Sequence, residues 1–428
     1  MTAPAWNLVV YAIAEDRAQH ESVHTAIDRM EGALTSDRCR VVVQCHTASA
    51  TERHWLTAGK RRRVERLYAV DPDPSEALTS LLNAAHRGAP AESTALILFA
   101  HGRGLDDVHQ LRAPARRAAP VTPRAVATRA AITDVFDSTP ANLNRATAPP
   151  GAPVDADATL AQFGREERGV GPRGARAKWA RHWARDPRRP GHLRNVDLRR
   201  AIETSVLRRV QVLGLNACWM ASIEVAYELR EVAEIQLASQ VYATAWPYAS
   251  IVHALVHAPP PSAEDFARVV VAAVRAELAA HLRSDTLAAI RAGAALDAVA
   301  AAFTPVAQRA RALIAADWLA LRKLVDRDAQ RLPDPYQVDL QSLAEALGRH
   351  DPETGRATVP LLAALTDALI AVAATDAHPG VHGLSVLCPR DGDVDLVDAY
   401  KGIAFREHTW ARFLAAYQTK LNASPRDA

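Results

Sequence analysis

Cysteine is scarce in this chain, with four among 428 residues at Cys39, Cys45, Cys218 and Cys388. That is too few and too scattered for a disulfide framework, and no C-x-x-C pair is present to seed a zinc site. No apolar run reaches the roughly 18–20 residues of a membrane span, so no membrane partner is expected. The opening MTAPAWNLVVYAIAEDR has no basic leader segment, and Glu15 and Asp16 close its apolar stretch early. Reduced thiols and a cytoplasmic location are therefore expected. Excess charge is lacking too. Lys and Arg number 51 against 48 Asp and Glu, and a surplus of +3 argues against a dedicated nucleic-acid binder. There is no H-E-x-x-H motif, no EF-hand loop and no tandem repeat. The run Asp391-Gly392-Asp393-Val394-Asp395 reads as a solvated turn, with a weak calcium loop as the alternative; no cofactor is expected.

What is present is a globular balance. Hydrophobic residues at 49% and charged residues at 23% exclude wholesale disorder, and the length allows two or three domains. Short β-branched runs mark strands at 6–13, 40–45, 94–100, 210–216, 235–239 and 383–388, each apolar along its length as in strands covered on both faces. Helical patterns fall between them at 15–34, 73–85, 195–207 and 220–232. Strand alternating with helix predicts an α/β fold: a mostly parallel sheet with helices on both faces. Two stretches break the rhythm. Residues 105–193 hold ten of the 26 prolines, and Arg112 to Arg194 carries 15 Arg and one Lys against seven acids, about +9. Residues 262–375 are Ala/Leu/Arg-rich with helical spacing, a helical C-terminal elaboration that returns to the sheet through the last strand. The organisation read is 1–104, the first half of the α/β domain; 105–193, an Arg/Pro-rich insertion or linker; 194–260, its second half; 261–375, a helical subdomain; and 376–428, a late strand and closing helix.

Two strand ends carry reactive side chains. The third strand runs into His101-Gly102-Arg103-Gly104, and the fourth into Asn216-Ala217-Cys218-Trp219-Met220. Ligands of open α/β sheets bind at the carboxyl ends of strands. A cysteine just ahead of a helix gains thiolate character from the unpaired N–H groups there. Taken singly, a cysteine after a core strand is more often buried packing and His-Gly a turn. Paired on one rim, they suggest nucleophile and acid–base partner.

These residues also carry a resemblance. His101-Gly102, followed by Asn216-Ala217-Cys218-Trp219-Met220-Ala221-Ser222 and the helix Ile223-Glu224-Val225-Ala226-Tyr227-Glu228-Leu229, resembles the clostripain family of cysteine peptidases. These are caspase-like enzymes, grouped with legumain, gingipain and separase. Further blocks fall in the family's order: Trp6 with Val10-Tyr11, Ala238-Ser239-Gln240, Trp246-Pro247-Tyr248, Gly383-Leu384-Ser385 with Pro389, and Trp410 with Phe413-Leu414. The resemblance implies a caspase-like sheet and a cysteine endopeptidase, and the opening segment sets the expectation that it is intracellular. Cys218 would be the nucleophile and His101 the proton carrier, with the N–H groups of Gly102 and Cys218 holding the oxyanion. It implies a substrate pocket floored by Asn216 and a groove wall at Ser239, Gln240, Trp246 and Tyr248, the two aromatics being equally readable as core. The family has aspartate where this chain has Asn216, and often glutamate at Gln240. A neutral amide supplies no buried ion pair, so the family's arginine or lysine preference should be weakened here.

The insertion admits three readings: an activation linker of a latent enzyme, a tolerated surface loop, or a binding segment. For the last, Arg165 to Arg194 with Trp179, His182 and Trp183 would bind nucleic acid, an acidic partner or an activator protein, as in a sensor with latent or lost peptidase activity. A peptidase fold without activity has no need of both His101 and Cys218, which favours the enzyme.

Overall fold

The computed structural model describes residues 5–14, 17–46, 51–59, 61–67, 74–88, 90–100, 193–241, 243–260, 262–281, 285–333, 336–375, 378, 380–390, 400 and 402–423. The chain divides into two compact units, 1–113 with 193–428, and 114–192; all described residues lie in the first. His101, Gly102, the insertion through residue 192 and the 391–395 run lie outside the described residues.

The first half runs β1 (Trp6–Ile13), α1 (Arg17–Ala33), β2 (Cys39–His46), β3 (Thr51–Thr57), β4 (Arg61–Leu67), α2 (Pro74–Gly88) and β5 (Ser93–Phe99). After the insertion come α3 (Asn195–Thr204), β6 (Val210–Asn216), α4 (Ile223–Glu228), β7 (Ala233–Ala238), α5 (Tyr248–His257), α6 (Ala263–His281) and β8 (Leu287–Arg291). The last third adds α7 (Ala294–Ala316), α8 (Trp318–Lys323), β9 (Gln337–Asp339), α9 (Leu340–Gly348), α10 (Pro352–Ala368), β10 (Leu369–Ala373), β11 (Ser385–Leu387) and α11 (Thr409–Ala423).

Nine strands form one sheet in the order β10-β8-β7-β6-β5-β1-β2-β3-β4. The five central strands, β7 through β2, are parallel, and an antiparallel pair completes each flank. The parallel strands are apolar on both faces because both are covered. Leu8, Val10 and Ala12 of β1 join one core with α1, α5 and α6, whereas Val9 and Tyr11 join the other with α2, α3, α4, α7 and α11. Trp6 is pinned at the strand's start, its indole N–H donating to the Pro260 carbonyl at 2.9 Å and its ring stacked on Phe266.

Four main-sheet strands escape the sequence reading. β3 and β4 read TERHWLT and RRRVERL, too polar for a core strand; as an outer hairpin they carry charge that guards an open edge. β8 and β10 lie within the helix-rich 262–375 stretch and are five residues each. The late strand is also placed differently. β11 pairs antiparallel with β9 in a separate two-stranded sheet instead of rejoining the main one.

Gly214 in β6 is required by close approach. A Cβ there would lie 2.8 Å from the Trp246 ring and 3.1 Å from Ile97. Gly214→Ala should therefore cost about 1–3 kcal/mol of stability by overpacking, read as a lower urea midpoint. An unchanged midpoint would mean that Trp246 does not rest on β6.

Candidate active site

The rim at the carboxyl ends of β5 and β6 is set by register. Phe99 of β5 pairs with Asn216 of β6, and the Ala100 N–H continues toward the Asn216 carbonyl at 3.5 Å. Positions 101 and 218 each lie two residues beyond that aligned pair. Cys218 is described and partly exposed, whereas Cys39, Cys45 and Cys388 are buried; all four thiols are free.

The backbone after β6 does not enter a helix at once. Trp219 carries φ of +58°, a left-handed conformation that costs a bulky residue of order 1–3 kcal/mol. It is held there by its N–H bond to the Val241 carbonyl at 2.8 Å, and the Ala221 N–H bonds to the Ser239 carbonyl at 2.8 Å. Ser222 forms a bridge to Ser385 and then caps α4, its hydroxyl accepting the Val225 N–H at 3.3 Å. The helix thus begins several residues past the cysteine, and its terminus is satisfied internally. This corrects the expectation that a helix N-terminus acidifies Cys218. Its thiol is pushed up to about 12, chiefly by burial, which the Ala243 backbone opposes and to which the negative charge of Asp285 adds the least. The Ala243 N–H donates to Sγ at 3.4 Å.

This sets an expected result for alkylation. With a pKa near 12 the thiolate fraction at pH 7 is roughly one part in a hundred thousand. The rate of Cys218 labelling by iodoacetamide in the resting chain should then rise tenfold per pH unit from 7 to 10. A plateau with its midpoint below pH 8 would show a thiolate already formed.

Asn216 is 3% exposed, and both its amide nitrogen and its amide oxygen are hydrogen-bonded. Its Nδ2 donates to the Thr244 carbonyl at 2.7 Å, while its Oδ1 accepts the Trp246 N–H at 3.2 Å and the Tyr248 hydroxyl at 3.0 Å. The amide therefore fastens the 243–248 segment beside the cysteine. Thr244 is held from its other side by Asp285, whose carboxylate accepts the Thr244 N–H at 2.9 Å and also its hydroxyl. A narrow cleft borders this segment, lined among others by Thr244, Trp246, Glu277 and Asp285.

The other proposed wall residues are buried as well. The Ser239 hydroxyl meets that of Thr286 at 3.0 Å. Gln240 donates to Asp339 at 2.9 Å and accepts the Gly383 N–H. Trp246 and Tyr248 are 6% and 3% exposed, and both belong to the core on the α5–α6 side of the sheet. These side chains build the wall from behind. Glu224 of the α4 motif braces the rim in the same way. It is buried, its carboxyl is pushed upward by that burial, and it accepts the Leu387 N–H at 3.0 Å and the Tyr400 hydroxyl. It ties β11 to the helix behind Cys218. Sequence reasoning missed Asp285 and Asp339, which stand in unremarkable contexts; only the fold brings them to the rim.

Among the described residues no three metal-ligating side chains converge on a point, and no helix is long and apolar enough to cross a membrane.

No curated protein matches the chain. Residues 168–346 match the clostripain family, Peptidase_C11, a span that takes in Cys218, begins inside the stretch read as an insertion, and leaves residue 101 outside. An inactive zymogen C11 protease from Parabacteroides distasonis is 16% identical with a TM-score of 0.58, over 95% of this chain and 98% of its own. A secreted C11 cysteine protease from Bacteroides thetaiotaomicron, "iotapain", is 16% identical with a TM-score of 0.57, over 97% and 100%. A secreted C11 cysteine protease of the same organism, in complex with an irreversible peptide inhibitor, is 15% identical with a TM-score of 0.58, over 97% and 99%. The solved structures carry the fold, and residues 168–346, with Cys218 among them, are similar to the clostripain family.

Proposed function

We propose that this clostripain-like peptidase is an endopeptidase that cuts a protein chain through a His101/Cys218 dyad. The observation that carries the reading is the Phe99–Asn216 register, which starts both reactive positions from one aligned pair of strand ends. The sulfur of Cys218 bonds to the scissile carbonyl carbon as its proton passes to His101. The N–H groups of Gly102 and Cys218 hold the resulting oxyanion; one such donor is worth about 3–4 kcal/mol. His101 then delivers the proton to the leaving amine as the C–N bond breaks, leaving a thioester. Water, deprotonated by His101, hydrolyses the thioester and restores the thiol.

The resting chain is latent on this reading, because a thiol held near 12 is a poor nucleophile until its surroundings change. A peptide substrate is the natural occupant, as a C11 relative is held by an irreversible peptide inhibitor. Arginine preference before the scissile bond is weakened, since Asn216 spends its amide on the 244–248 segment and brings no charge. Four free thiols fit a reducing, intracellular setting. The test is covalent labelling by a peptidyl acyloxymethyl ketone. Mass spectrometry should find the adduct on Cys218, and His101→Ala should remove it. An adduct on another residue, or one indifferent to His101→Ala, would overturn the dyad.

A further inference from the structure

Asp339, the last residue of β9, is wholly buried, and donors meet its carboxylate on both oxygens. The Ser342 N–H reaches Oδ1 at 2.8 Å and so caps α9. The Gln240 side-chain amide reaches Oδ2 at 2.9 Å. His382 contributes twice, with its backbone N–H at 2.7 Å and its ring Nδ1 at 2.9 Å. Capping accounts for the Ser342 bond alone. The others come from residues 240 and 382, far apart in sequence, and the two segments are joined in two further ways. Gln240 accepts the Gly383 N–H, and Val241 shares a small apolar cluster with Leu332 and Val381. Residues 381–383 thus lie as a strap against the segment that follows β7.

What the strap holds stands next to the nucleophile. The Val241 carbonyl takes the Trp219 N–H and the Ser239 carbonyl takes the Ala221 N–H, the bonds that keep the left-handed turn after Cys218. Residues 239–241 lie past the end of β7 and are placed by side chains: Thr286 on Ser239 and on the Gln240 N–H, Asp339 on the Gln240 amide. His382 brings this arrangement to solvent, its side chain being 34% exposed against 0% for Asp339. Its affinity for a proton is raised, first by the hydrogen bond to Asp339, which burial opposes. The charges of Asp339 and of Glu345 on α9 and a hydrogen bond to the Gly380 backbone add to the rise; these are the described groups that act on the ring. A neutral ring still donates from Nδ1, and protonation turns that bond into a charge-assisted one. A pair that only anchored the 381–383 strap would leave Gln240 out.

We infer that His382 is a positioning residue of the cysteine site: through Asp339 and Gln240 its ring fixes the 239–241 segment and, with it, the turn that presents Cys218. Its catalytic meaning rests on the His101/Cys218 dyad, its mechanical one on these hydrogen bonds alone. A histidine whose folded pKa is raised contributes fully below its unfolded pKa and loses that contribution as pH rises through the folded one. The turn is therefore held most firmly on the acid side, while His382 carries its second ring proton.

The experiment is amide hydrogen exchange of the full chain at pH 6 and pH 8.5, read by mass spectrometry as protection factors for peptides covering 217–222 and β1. At pH 6, His382→Ala should lower protection at 217–222 at least tenfold, the scale of a hydrogen bond to a charged group, and leave β1 unchanged. His382→Asn keeps a neutral donor near the place of Nδ1. It should match the parent at pH 8.5 and fall about threefold below it at pH 6. For a peptide that the activated chain cleaves, kcat should follow the same order at both pH values with KM unchanged. Unchanged protection at 217–222 in His382→Ala, an equal loss in β1, or a His382→Asn chain equal to the parent at pH 6 would overturn the positioning role. So would a kcat indifferent to His382→Ala. A parent that cleaves nothing while the exchange results hold would overturn the dyad and leave the strap in place.

Discussion

Cys218→Ala is expected to lower peptide cleavage by roughly 10⁴–10⁶-fold, the scale on which removing a nucleophile acts in a covalent peptidase. The other thiols offer no replacement. Cys39, Cys45 and Cys388 are buried, and burial pushes each up to about 12. His101→Ala should fall nearly as far, and the double variant no further, because residues that move one proton between them act as a unit. Steady-state rates on an activated chain, followed with a mixed peptide pool, measure all three. If the double variant is slower than either single one by the product of their effects, the two residues do not share a step. If Cys218→Ala keeps more than a hundredth of the rate, the nucleophile lies elsewhere.

The rim was legible in the sequence because it rests on the strongest local signals. Val210–Asn216 is apolar along its length, and its observed bounds are those of the predicted strand. The same holds for Trp6–Ile13, and the strand ending in Phe99 differs by one residue at each end. The edges were less legible, since an edge strand needs only one neighbour and tolerates charge. RRRVERL has the look of a solvated loop until β3 pairs with it. The cysteine's surroundings were misread for a different reason. The apolar Trp219–Ala221 stretch looks like the start of a helix, but the N–H groups of Trp219 and Ala221 are taken by Val241 and Ser239 across the rim, and these bonds hold it out of a helix. Such bonds join residues more than 15 positions apart and leave no periodic trace. The roles of Ser239, Gln240 and Asn216 were hidden likewise: chemistry that faces a substrate and chemistry that braces a loop use the same amides and hydroxyls.

Asn216→Asp separates those two uses of one side chain. The family carries aspartate here, so on family grounds the substitution would restore a preference for arginine. The contacts in this chain predict loss of stability first. Nδ2 of Asn216 donates to the Thr244 carbonyl at 2.7 Å, and a carboxylate would set two acceptors against each other in a site that is 3% exposed. The Trp246 N–H and Tyr248 hydroxyl still donate, but no cation among the described residues is bonded to the group. Leaving such a charge unpaired costs roughly 3–5 kcal/mol, unless the acid takes up a proton. Its folded-state pKa would then lie above the unfolded value. For a raised acid the loss is smallest below the unfolded pKa and grows as pH rises through the folded one. Urea unfolding should therefore place the variant close to the parent near pH 4 and well below it at pH 8. A peptide library should show the parent accepting neutral residues before the cut. The variant should gain selectivity for arginine only if the 243–248 segment gives up its bond to residue 216. A variant that matches the parent's stability at pH 8 and cleaves strictly after arginine would mean that position 216 faces substrate and does not brace the loop.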